Sequence, residues 1–179
     1  ATPTGYYLRK FTNGASNHME NQDGYFKLLR FAEILLNYAE AANEYYGPDY
    51  KETLGSEEMS PYVALKLIRR RAGIEAGDDG MYGLKANMTR EEMRQAIQLE
   101  RYIELAFEGF RFFDVRRWKI ADQTDNAPML GFEITRTGSA FTYQYFEVRK
   151  HVFRPAMYFF PIPYDETVKQ SGLVQNPYY

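Results

Sequence analysis

The sequence predicts a mostly α-helical fold: a tetratricopeptide-like helix pair, a long charged helix, then a small β-hairpin and an irregular C-terminal segment. Three observations carry that reading. Residues 27–46 and 60–73 each repeat apolar side chains at helical spacing and stop at glycine. Residues 89–108 form a third amphipathic run that opens on a capping pattern. Beyond residue 121 the texture changes to alternating residues, turn signals and prolines.

Taken in order, residues 5–11 (GYYLRKF) read as a short extended segment, followed by a polar loop to Gly24. In 27–46 (KLLRFAEILLNYAEAANEYY), Leu28, Phe31, Ala32, Leu35, Ala39, Ala42 and Tyr46 share one face, while Glu33, Asn37, Glu40 and Glu44 share the other. Three alanines in the apolar stripe let a neighbouring helix approach closely. Gly47-Pro48 ends the run. In 60–73 (SPYVALKLIRRRAG), Ser60 suits the N-cap, Pro61 the first turn, three arginines the last turn, and Gly73 the stop. The two helices have the size of one tetratricopeptide-type unit, with no second copy in the sequence. Residues 75–87 are Gly- and Asp-rich loop. Thr89 and Glu92 form a capping-box signature for a helix reaching about Glu108, with a bend at Gly109 and helix resuming through Trp118. Residues 130–136 and 141–149 read as strands around Thr137-Gly138-Ser139. Residues 151–164 are aromatic and broken by Pro155, Pro161 and Pro163, and the tail is a helical turn followed by irregular chain.

Composition narrows the function classes. A length of 179 residues fits one domain or a large part of a bigger one. A net charge of −2 and a pI near 5.8 give no pull toward nucleic acid or anionic lipid. Tyr (16) and Phe (13) dominate the aromatics, and tyrosine suits half-wet surfaces as well as cores. The absence of cysteine excludes disulfides, thiolate metal sites and cysteine nucleophiles. No apolar run of about 18 residues spans a bilayer. The start, ATPTGYYLRK, lacks the basic and apolar regions of a signal peptide, which leaves a cytosolic protein or a targeting segment outside this chain.

The third helix carries the most suggestive charges. Glu100, Glu104 and Arg111 project near the centre of the side holding Met93, Ala96, Ile97 and Phe107. Glu100, Glu104 and Glu108 also form a like-charged row at four-residue spacing, which is unfavourable without intervening cations. Paired carboxylates could serve as the acid and base of glycoside hydrolysis. An internal network with Arg69, Arg71 and Arg111 is the stronger reading, because carboxylates among arginines make poor general acids. A di-metal site would need Glu-x-x-His pairs, and neither His18 nor His151 has that spacing. No Gly-x-Ser-x-Gly, phosphate loop or zinc spacing occurs. Arg69–Arg71 read as helix-end charges rather than a phosphate site, and Trp118 as packing rather than a sugar platform. The expectation is no catalytic residue, no metal and no cofactor.

Four stretches occur in an order that resembles the C-terminal part of SusD/RagB proteins: LLRFAEILLNYAEAANE (28–44), ALKLIRRRAGI (64–74), ERYIELAFEGFRFFDVRRWKIA (100–121) and YFFPIPYDETVKQSGLVQNPYY (158–179). The resemblance implies a surface-exposed outer-membrane lipoprotein, on the extracellular face, that binds a glycan or other nutrient. It implies partnership with a SusC-like TonB-dependent transporter, a largely helical tetratricopeptide-like scaffold, and no enzymatic activity. Phe110, Lys66 and Tyr178 depart from the residues usual at those motif positions. The lipid-bearing cysteine, signal peptide and N-terminal helix pairs of such proteins are not in this sequence, so residues 1–179 are expected to be a single domain piece of a longer protein. The aromatics on irregular segments are the ligand-binding candidates: Tyr46, Tyr50, Tyr82, Phe141, Tyr143 and Tyr145. A plainer reading has Tyr143 and Tyr145 covering one face of a strand. The alternative function is a tetratricopeptide-like adaptor that binds peptides.

Overall fold

The computed structural model describes residues 2–12 and 27–179. The loop expected over residues 13–24, with His18, therefore lies outside the described residues. The chain divides into two compact units, Tyr25–Arg111 and a second formed by Ala1–Gly24 with Phe112–Tyr179.

The first unit is helical. Helix α1 spans Phe31–Tyr45, α2 Pro61–Arg71 and α3 Arg90–Glu104. Leu35, Leu36 and Ala39 of α1, Ala64, Leu65 and Ile68 of α2, and Met93 and Ile97 of α3 form its core with Leu84, Met88 and Leu105. Ala39 and Ala64 are wholly buried, consistent with small side chains where helix backbones approach. Asn43 is also buried, and its Nδ2 donates to the Arg90 carbonyl at 3.0 Å, tying the end of α1 to the start of α3.

The ends of α2 and α3 follow local chemistry. Ser60 accepts a hydrogen bond from the Val63 N–H at 3.1 Å, and Pro61 occupies the first turn. On α3, Thr89 Oγ1 accepts from the Glu92 N–H at 3.2 Å, while the Glu92 carboxylate accepts from the Thr89 N–H at 2.9 Å. The start of α1 differs from the periodicity. Arg30 is extended (φ −149°), so the helix begins at Phe31, four residues later than the pattern suggests. Leu28 and Phe31 consequently stay exposed, as does Tyr46. The reason lies in Arg30, whose side chain is committed to carboxylates elsewhere. Between α1 and α2, strands β1 (Glu52–Leu54) and β2 (Glu57–Met59) make a short antiparallel ladder turned at Gly55, an element too brief to leave a periodic signal.

Helix α4 (Phe110–Arg117) begins at the close of the first unit and continues into the second. The second unit holds α5 (Ala121–Thr124), strands β3 (Pro128–Thr137) and β4 (Ala140–Lys150), and α6 (Tyr164–Lys169). β3 and β4 pair antiparallel around a two-residue turn, with Gly138 at φ +65° and one register shift at Met129/Leu130. The chain near Gly5 runs against β3: the Phe132 N–H donates to the Thr4 carbonyl at 2.8 Å. A Cβ on Gly5 would stand 2.1 Å from the Phe132 carbonyl oxygen, so only glycine fits.

Side-chain amides hold the irregular remainder by imitating a backbone ladder. Asn126 Oδ1 accepts from the Phe153 N–H (2.6 Å) while its Nδ2 donates to the Phe153 carbonyl (3.2 Å). Gln175 does the same with Ile162, at 2.7 and 2.8 Å. Phe153 and Ile162, which lie outside any regular element, thus have both backbone groups paired.

The α3 cap predicts an acid response. Glu92 meets Lys85 and the Thr89 N–H and hydroxyl, which together lower its pKa from 4.5 to about 2. A depressed carboxylate contributes fully above about 4.5, and that contribution is lost as pH falls toward 2. Thermal melts across this window should show a shallower acid limb in Glu92→Gln, which keeps the cap but not the charge. An unchanged slope would contradict this account of the cap.

Candidate functional site

Helix α3 carries Glu100 and Glu104 on one side, and Glu108 follows just past its end. Each meets a guanidinium from another element. Arg69, in the last turn of α2, donates from Nε to Glu100 Oε2 at 2.8 Å and from Nη1 to the Tyr82 carbonyl at 3.0 Å. Arg71 Nη2 reaches both Glu104 oxygens, at 2.7 and 2.6 Å. Arg30 pairs with Glu104 through Nη1 and grips Glu108 with Nε and Nη2, each at 2.8 Å. The Glu104 and Glu108 side chains are only 10% and 6% exposed, so these are substantially dry pairs. Burial alone would lower the Arg30 pKa, but Glu108 and Glu104 outweigh it and hold the guanidinium above its ordinary value. The carboxylates thus spend their lone pairs on fixed guanidinium donors within a packed unit.

Arg111 stands apart from this cluster: its guanidinium lies 4.8 Å above the Tyr102 ring. The projection that set it beside Glu104 assumed an unbroken helix. Instead α3 ends at Glu104, Phe107 and Gly109 adopt φ of +64° and +85°, and α4 restarts in a different phase. Arg30 occupies the place expected of Arg111. A signal for it existed, because a cation at the N-terminal end of a helix opposes the helix dipole and implies a distant counter-charge. Arg101 was also missed. It is buried, and its Nη1 donates to Asn37 Oδ1 at 2.7 Å.

The aromatic candidates fall into separate groups. In the helical unit Tyr46 and Tyr50 stack at 4.0 Å between centroids and 11° between planes, and Tyr45 meets Tyr46 edge-on at 4.6 Å. Tyr82 belongs to neither group; its backbone is left-handed (φ +55°) and its carbonyl is held by Arg69. In the second unit Phe141, Tyr143 and Tyr145 alternate along β4 and share a face with their register partners Arg136, Ile134 and Phe132. Phe132 is the hub: Tyr145 lies 4.9 Å away, Tyr143 5.6 Å and Tyr6 6.0 Å, the last two nearly parallel to it. Arg136 stands 5.8 Å from the Phe141 ring. Tyr143 and Tyr145 remain 62% and 64% exposed, so the hairpin displays an open aromatic face rather than a closed core. Sequence reasoning found the β4 alternation but not Phe132, whose role depends on register.

Among the described residues no cluster of His, Asp or Glu could hold a metal ion, and no helix is long and apolar enough to cross a membrane.

One unit is thus helical and braced by ion pairs, and the other holds an aromatic hairpin and an irregular, amide-clamped tail. The SusD family's sequence model matches residues 1–179, and the chain belongs to that family. The resemblance carried by the four ordered motifs therefore holds. The SusD-like protein P2 of Formosa agariphila is 30% identical over 174 residues, which covers 95% of this chain and 28% of that protein. The crystal structure of a SusD-like protein from Bacteroides fragilis superposes with a TM-score of 0.67 at 31% identity, covering 86% of this chain and 26% of the other. This chain spans little more than a quarter of the length of these relatives.

Removing Arg30 takes the two-point guanidinium grip from Glu108 in a dry setting and leaves Glu104 with Arg71. Arg30→Ala should destabilise the protein by about 3–5 kcal/mol, the range for breaking a buried pair. Denaturant unfolding measures it, and a loss below about 1 kcal/mol, ordinary for exposed pairs, would show that the cluster is energetically idle.

Proposed function

We propose that the chain is the C-terminal part of a surface nutrient-binding protein that takes up glycans with a SusC-like TonB-dependent transporter. The parent is an outer-membrane lipoprotein facing outward, and it binds rather than transforms its ligand. Membership in the SusD family supports this reading. The observation that carries the ligand class is the open face of β3–β4, where the exposed rings of Tyr143 and Tyr145 cluster on the half-buried Phe132. Aromatic faces stack on the apolar faces of sugar rings, and loops on a rigid scaffold are the usual place for binding residues. Tyr46 and Tyr50 offer a second, smaller platform. Tyr82 is a weaker candidate, since its carbonyl already anchors Arg69.

The braced helices are the scaffold in this proposal, tetratricopeptide-like in the pairing of α1 with α2. The peptide-adaptor alternative is less well supported, because the family is a nutrient-binding one. Glycosidase chemistry at Glu100 and Glu104 is likewise unsupported: both carboxylates are bound by arginines.

Calorimetry of the full-length parent against a glycan panel tests the proposal. The wild type should bind a saccharide, and Tyr143→Ala/Tyr145→Ala should weaken it about tenfold or more at unchanged melting temperature, given about 1–3 kcal/mol per stacked ring in comparable platforms. Binding of peptides alone would overturn the glycan assignment. A parent that neither binds nutrients nor copurifies with a transporter would overturn the reading altogether.

A further inference from the structure

We infer that the helical unit contains a separate groove that takes a single sugar unit bearing one anionic group, with Lys66 reading the charge. The sugar class rests on the nutrient-binding proposal above; the groove and its charge do not. A cavity of about 310 Å3 opens among the α1–β1 loop, β2, the start of α2 and the 81–87 loop. Small-molecule sites begin at about 300 Å3, so the space suits one monosaccharide rather than a chain of them. None of the six aromatic candidates lines it.

Its walls are already braced. The Tyr62 hydroxyl donates to the Lys85 carbonyl (3.3 Å) and accepts from the Met88 N–H (2.7 Å), fastening α2 to the 81–87 loop. Across the β1–β2 hairpin Lys51 Nζ lies 3.0 Å from Glu58 Oε1, so those two lining charges satisfy each other. A ligand would therefore meet a pre-formed site with little ordering left to do.

Two charges then remain. Asp49 is exposed at the rim, where water screens it. Lys66 is half-buried on α2 and pairs with no carboxylate among the described residues. A partly desolvated ammonium favours an anion more than an exposed one does. Lys66 is a single cation, which matches a ligand with one anionic group rather than a polyanion. Asn87, held left-handed at φ +53°, brings an amide that can both donate to and accept from hydroxyls. Pro48, Val63 and Met81 supply apolar wall for ring C–H groups. One anionic group, several hydroxyls and an apolar ring edge describe a uronic acid.

The test is methyl NMR on the full-length parent with labelled methionine and alanine, titrated separately with D-glucuronate, D-glucose and inorganic sulfate. Glucuronate should shift the Met81 and Ala86 methyls saturably and more tightly than either control. Lys66→Gln should weaken it about tenfold, the lower end for a charge-assisted hydrogen bond, and Lys66→Arg should keep most of the affinity. Tyr143→Ala/Tyr145→Ala should leave glucuronate binding unchanged, so this inference and the hairpin platform fail separately. Equal affinity for glucose overturns the charge reading, and equal affinity for sulfate overturns the sugar. Still methyls, or a folded Lys66→Gln that binds as wild type, overturn the site.

Discussion

A carboxylate withdrawn from water needs a donor aimed at it, and α3 with the residues just past its end carries three that have one: Glu100, Glu104 and Glu108. Their partners come from α2 (Arg69, Arg71) and from the residue that opens α1 (Arg30). Each pair therefore works as a distance restraint between helices that hydrophobic packing alone would let slide. Apolar contact among Leu36, Leu65, Ile68, Met93 and Ile97 supplies the non-directional part of the stability. The ion pairs supply direction, and they do so where the chain is least regular, at the α1 start and the α3 end.

That division explains how much of the fold could be read from residues alone. The ends of α2 and the start of α3 were legible because their signals are local: Ser60 with Pro61, and Thr89 with Glu92 three positions on. The hairpin was legible from alternation around Gly138. The start of α1 and the end of α3 were not, because both are set by contacts distant in sequence. Arg30 and Glu104 are 74 residues apart, and no window of periodicity joins them. Arg111 shows the converse failure. Its projected position was sound for a continuous helix, and positive φ at Phe107 and Gly109 ended the continuity.

The candidate site divides along the same line. Alternation on β4 was enough to put Phe141, Tyr143 and Tyr145 on one face, since strand geometry has a period of two. The hub of that face, Phe132, depends on which residue of β3 stands opposite Tyr145. Register is a pairing property, and one residue of slip would have set Phe132 on the other side. The groove beside Lys66 was less legible still, because three segments remote in sequence must meet before it exists. Family membership follows from the motifs of the helices and the tail, whereas the proposed aromatic platforms rest on residues that those motifs do not include.

The central claim is that the charged side of α3 is an internal brace. A double-mutant cycle on Arg69→Ala and Glu100→Ala, read by denaturant unfolding, tests it most directly, because the pair is dry, single and 2.8 Å apart. The account predicts a coupling free energy of about 1–3 kcal/mol. Additive effects, with coupling below about 0.3 kcal/mol, would contradict it and return these carboxylates to the list of groups awaiting a function.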